Sequence, residues 1–178
     1  MSEPAKTYTK PQIGLHNIMA LLLIALYFFG LSLESFPKEV RGEYVNYHKL
    51  GGVLIVVLLL ARMTLRSVTP PPPFPPSMGP GFTKIAHLGH FALYALMAIV
   101  PISGMAMSMA AGRGINFYLF QVASPFEANK AISGPLHEVH EVAANVLIFL
   151  VLGHVAVALY HQFVLKDNLL YRLSPKGK

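Results

Sequence analysis

The chain has 178 residues, of which 54% are hydrophobic and only 12% charged, and it carries a net charge of +6. A water-soluble domain of this size holds roughly twice that charged fraction, so the composition describes one small membrane domain spanning residues 1–178. Cysteine is absent, which excludes disulfides, cysteine-ligated iron–sulfur clusters, thiolate nucleophiles and the C-x-x-C-H attachment of a c-type haem.

Met1–Lys10 is polar, and no small-residue cleavage site follows the first apolar run, so a removed signal peptide is not expected. Four stretches lack Asp, Glu, Lys and Arg: Pro11–Leu33, Leu50–Ala61, Ile85–Gly112 and Val142–Leu165. A membrane span needs about 20 predominantly apolar residues, which the first, third and fourth supply. The second is too short by itself. It becomes a span if its helix runs from about Tyr44 to Leu65, with Lys49 and Arg62 snorkelling at the two interfaces. The expected spans are therefore about 11–33, 44–65, 85–109 and 140–165, an all-α, integral-membrane four-helix bundle.

Four crossings put both termini on one side. The N-terminus, second connection and C-terminus hold Lys6, Lys10, Arg62, Arg66, Lys84, Lys166, Arg172, Lys176 and Lys178, against Lys38, Arg41, Lys49, Arg113 and Lys130 in the first and third connections. The positive-inside rule then places both termini in the cytoplasm. The second connection, 68–80, contains PPPPFPP. Proline lacks a backbone donor and fixes φ, so this stretch reads as a stiff cytoplasmic strap. Pro101 and Gly104 predict a kink in the third helix.

Ionisable side chains inside a bilayer are costly, so the eight histidines ask for a function. At 1.5 Å per residue, the 14 residues from His140 to His154 cover about 21 Å and return to within ~40° of the same azimuth. Both rings therefore leave one face of the fourth helix at two depths. His16, near the inner end of the first helix, matches His154. His48, at the outer end of the second, matches His140; Lys49 and Glu141 follow these two and mark the outer interface. Two imidazoles at each depth suit two haems, each six-coordinate and confined to electron transfer. Gly14, Gly51, Gly52 and Gly153 are expected to leave room beside the ligands.

A zinc or binuclear site is the competing reading, from the i, i+3 pairs His137/His140 and His87/His90. H-E-V-H lacks the H-E-x-x-H arrangement, and the spans have no Glu-rich interior. His161, two turns beyond His154, is expected to face the bundle at the inner boundary with His87 and His90. Arg62, Arg66 and Lys84 lie beside them as positive-inside anchors, partners of haem propionates or neighbours of a quinone. Reduction of a quinone consumes protons, and histidine titrates near neutrality.

These residues resemble the bacterial cytochrome b561 family across nearly the whole chain. The likeness lies in IGLHN at 13–17, YHKLGG at 47–52, ARMTLR at 61–66, the Pro-rich loop, AHLGH at 86–90, VHEVAANV at 139–146, GH at 153–154 and YHQFVLKDNLLYRL at 160–173. The resemblance implies two b haems with axial ligands His16, His48, His140 and His154. It associates His161, and less directly His87, with ubiquinone. It also implies a multi-pass protein of the bacterial inner membrane that takes electrons from superoxide at the periplasmic side, or from another periplasmic donor, and passes them to ubiquinone. Asn17 departs from the Trp that often follows the first-helix histidine, and His137 is an addition to the usual pattern. The alternative is a cytochrome b anchor subunit carrying electrons from a peripheral hydrogenase or dehydrogenase to quinone. The short first connection, Glu34–Tyr47, favours stand-alone function. Five bases near the outer face could steer a small anion, although six glutamates lie there too. No nucleic-acid partner is expected.

Overall fold

A computed structural model describes residues 7–74, 78–167 and 169–173. Four long helices account for most of it: α1 (Lys10–Ser32), α2 (Lys38–Val68), α3 (Gly79–Ala110) and α4 (Lys130–Tyr160). All four are long and apolar enough to cross a membrane. They run up and down in sequence. The backbone NH of Tyr8 donates to the Arg172 carbonyl at 3.0 Å, so the N- and C-terminal segments meet at the same end of the bundle.

Local chemistry sets the helix ends. The Gln12 side chain accepts from the Thr9 backbone NH at 3.0 Å, closing the first turn of α1, and Pro11 sits where no NH is needed. Gln12 also donates to the Thr69 carbonyl at 2.7 Å, tying the start of α1 to the end of α2. Asn129 caps α4 by accepting from the Ala131 NH at 3.0 Å. Gly112 closes α3 with φ +71°, a left-handed conformation that glycine adopts without strain.

The helices exceed the apolar spans read from sequence. Helix α2 begins at Lys38 rather than near Tyr44, α3 at Gly79 rather than Ile85, and α4 at Lys130 rather than His140. The reason is physical: caps and backbone hydrogen bonds define a helix, whereas bilayer thickness defines a span, and the added turns are polar. Arg41 stitches the first of these to the preceding turn by donating to the carbonyls of Glu34 and Phe36, each at 2.8 Å. The strap accordingly shortens to residues 69–78, of which 75–77 lie outside the described residues. One element was not expected in an all-α bundle. The third connection holds a small antiparallel hairpin, β1 (Ile115–Asn116) with β2 (Gln121–Val122). It is fastened to α2 by two hydrogen bonds between Asn46 and Asn116, at 2.8 and 2.9 Å.

The packed centre takes one side chain from each helix: Met19, Leu59, Met97 and Leu147. Leu147 lies midway between His140 and His154 along α4. Most other large apolar side chains, including Leu21, Leu60, Phe91 and Phe149, face outward, where lipid rather than water suits them. Helix α3 packs closely along α4, and α1 along α2, while α4 makes little backbone contact with α1 and α2. Across that seam the histidines of α1 and α2 face those of α4.

Candidate functional site

Two histidine pairs span the seam. The rings of His16 on α1 and His154 on α4 have centroids 6.4 Å apart with planes at 81°. Those of His48 on α2 and His140 on α4 are 6.2 Å apart with planes at 88°. Metal–imidazole bonds of about 2 Å on either side of one ion, with ring centres roughly 1 Å farther back, put centroids about 6 Å apart. Each pair has the separation needed to grip one metal from opposite sides. Rotation about an axial bond leaves the ring planes free, so perpendicular rings are compatible with this.

The outer pair is the more tightly constrained. His140 Nδ1 lies 2.8 Å from the Val100 carbonyl and 3.5 Å from Ser103 Oγ. A carbonyl only accepts, so Nδ1 carries the proton and Nε2 keeps its lone pair, the tautomer a metal requires. His48 Nδ1 is buried with no hydrogen-bond partner among the described residues, an unpaired polar atom that costs free energy unless an added group meets it. Both rings rest against glycine. A Cβ on Gly30 would lie 3.0 Å from His48 Cε1, and one on Gly104 would lie 2.8 Å from His140 Cε1. These two glycines, which the sequence reading did not include beside the ligands, make room for the rings. Gly14 and Gly153 face open space, Gly51 abuts Leu26, and Gly52 is 3.7 Å from Pro101. The signal available in sequence was a glycine facing a histidine at the same depth on a neighbouring helix.

The inner pair is more polar. Arg62 donates to His16 Nδ1 at 2.8 Å and to the Tyr94 hydroxyl at 3.2 Å. His90 comes within 5.3 Å of His154, and Phe74 of the strap stacks over His90 while meeting His87 edge-on at 5.1 Å. Metal binding through His16 Nε2 would require Arg62 to release Nδ1. A propionate carboxylate is a suitable acceptor for the freed guanidinium.

The expected inner cluster forms only in part. Arg66 is half-buried and Lys84 exposed, and among the described residues neither is hydrogen-bonded to an inner histidine, although the Arg66 charge lies near enough to His90 to act on it. His161 is buried, at 5% exposure, but no ring pairing among the described residues joins it to His87 or His154. Helix α4 keeps α-helical geometry to Tyr160 and gives way from His161 onward to a wider π-helical turn, His161–Leu165. Its recorded partner is Asp167, the sole aspartate in the chain.

His137 lies 3.9 Å from Glu141, with both side chains more than half exposed. Among the described residues no cluster of three or more His, Cys, Asp or Glu is placed to hold a metal ion. At the outer end, a cavity of about 590 Å³ is lined by Lys38, Arg41, Lys49 and Arg113 with Glu43 as its only acid. Counting the whole face had suggested near-neutrality; folding gathers the bases. Lys49 Nζ donates to the Gly114 carbonyl at 2.9 Å on the cavity wall.

Residues 7–176 match the family model described as prokaryotic cytochrome b561. The probable superoxide oxidase CybB of Yersinia pestis is 33% identical over 176 residues, covering 97% of this chain and 98% of the relative. Cytochrome b561 homolog 1 of Escherichia coli K12 is 29% identical over 180 residues, covering 96% and 98%. Cytochrome b562 of Cereibacter sphaeroides is 33% identical over 174 residues, covering 93% and 94%. The chain belongs to the prokaryotic cytochrome b561 family, multi-pass bacterial membrane proteins that bind haem b and transfer electrons.

Proposed function

We propose that this protein binds two b haems, one between His16 and His154 and one between His48 and His140, and uses them to carry electrons from superoxide to ubiquinone across the bacterial inner membrane. Both termini then lie in the cytoplasm and the hairpin end faces the periplasm. The observation carrying this reading is the pair of imidazole couples, 6.4 and 6.2 Å across, set about 21 Å apart along α4.

When bound, each haem would be held by its two histidines and would supply one-electron redox chemistry. The chain's own residues do the rest. His140, oriented by the Val100 carbonyl, and His48, seated against Gly30, hold the outer site open and aligned. Lys38, Arg41, Lys49 and Arg113 draw a small anion to the outer cavity. Two superoxide anions each give up one electron and leave as dioxygen; ubiquinone takes up the two electrons with two protons. Arg62 holds an anionic group beside the inner site. His161 and, secondarily, His87 lie at the inner boundary, where a quinone ring would be hydrogen-bonded. The name given to the Yersinia relative supports superoxide as donor.

The test is to add superoxide to the purified haem-loaded protein and follow haem absorption with and without ubiquinone. Reduction by superoxide followed by reoxidation by ubiquinone is expected. Haems that ignore superoxide but accept electrons from a hydrogenase or dehydrogenase would replace this reading with that of an anchor subunit.

A further inference from the structure

We propose that Asp167 is the positioning residue for His161, holding its ring proton on Nδ1 so that Nε2 is the nitrogen presented to a quinone; this rests on the proposed quinone role of His161. The sequence around it builds the contact. After the π-helical turn, Lys166 takes a left-handed conformation with φ 56°, and the chain doubles back. The Asp167 NH then donates to the His161 carbonyl at 3.3 Å. The carboxylate divides its two oxygens: Oδ2 lies 2.5 Å from His161 Nδ1, and Oδ1 accepts from the Leu169 NH at 3.2 Å. Both side chains are largely shielded, at 7% and 13% exposure.

A carboxylate only accepts, so the hydrogen between the two groups belongs to Nδ1. Nε2 then accepts from a quinol hydroxyl when the ring is neutral and donates to a quinone carbonyl when the ring is charged. A free imidazole exchanges tautomers and offers either nitrogen, whereas this one is held to a single assignment. Closing the C-terminal turn accounts for the bond from Leu169 to Oδ1. It does not require the second oxygen to meet a buried imidazole.

Asp167→Asn separates the two roles. The amide oxygen can keep the Leu169 bond, while its NH₂ turns to Nδ1, makes that nitrogen an acceptor and moves the ring proton to Nε2. Nitrogen NMR of histidine-labelled protein reports this directly, with the His161 signal identified by its loss in His161→Ala. The proton is expected on Nδ1 in the native protein and on Nε2 in Asp167→Asn. Quinone reduction should slow about tenfold or more in that variant, with two haems retained. Asp167→Glu should restore the native tautomer and part of the rate. If His161→Ala slows quinone reduction but Asp167→Asn changes neither tautomer nor rate, the positioning role is overturned and the site reading stands. If His161→Ala leaves quinone reduction unchanged, the quinone reading fails, and the proposal with it.

Discussion

His140 gives its Nδ1 proton to the carbonyl of Val100, 2.8 Å away on α3. That carbonyl immediately precedes Pro101, the proline inside the helix. The bond orients the ring toward His48 and leaves Nε2 as a lone pair. One turn further along α3, Gly104 meets the same edge of the ring and leaves no space for a Cβ. Helix α3 carries neither member of the outer pair, yet it sets how that pair is aimed.

The first prediction follows from that contact. In Gly104→Val the added carbons would occupy the position of the His140 ring, since a Cβ there already falls 2.8 Å from Cε1. The outer haem should be lost while the inner one stays, giving about half the native haem per chain by the pyridine haemochrome assay. His140→Ala should give the same result, and a fully loaded His140→Ala protein would exclude His140 as a ligand.

Arg62 places a positive charge beside the inner pair, its guanidinium 2.8 Å from His16 Nδ1. A cation favours the reduced, less positive haem. Arg62→Gln should therefore lower the inner midpoint potential, by on the order of 50 mV for a partly buried charge. The outer potential should not move. Spectroelectrochemical titration resolves the two.

The outer cavity predicts charge steering. Arg41 and Lys49 also hold backbone carbonyls, so their replacement would disturb the fold. Lys38 and Arg113 line the cavity without a side-chain hydrogen bond among the described residues. Lys38→Glu with Arg113→Glu should slow haem reduction by superoxide about tenfold at low salt and weaken or invert its salt dependence. Haem content should be unchanged, and stopped-flow absorption across ionic strength measures the effect.

Tyr27 on α1 donates to Asn145 on α4 at 2.8 Å, a polar clasp across the seam within the apolar region. Tyr27→Phe removes the donor and should destabilise the bundle by about 0.6 kcal/mol, the average for interhelical hydrogen bonds in a bilayer. Unfolding in graded detergent mixtures reads this out. A change in haem spectrum would show instead that the clasp shapes a haem slot.

The family, the four spans and the depths of the histidines were legible from residue order alone. Apolar length, charge bias and a rise of 1.5 Å per residue are properties of single helices. The depth match of His16 with His154 and His48 with His140 needed nothing more. Gly30 and Gly104 were missed because each matters only through a ring on another helix. The four glycines singled out instead share a helix with the nearest histidine, at one to four residues' distance, so their spacing reports on one helix and not on a neighbour's ring.

Asp167 and the outer cavity show the same divide. A lone aspartate among apolar and basic residues drew no attention, because only the reversal at Lys166 carries it back to His161. Five bases and six glutamates scattered over two connections cancel when counted, yet the Asn46–Asn116 clasp folds the third connection onto α2 and gathers four bases around one glutamate. Sequence alone determined the four long apolar helices and the matched levels of the two histidine pairs, since these depend on composition and helix geometry within one segment. Tertiary structure alone decided which atoms meet, because hydrogen-bond partners, ring tautomers and local charge arise where different segments pack together.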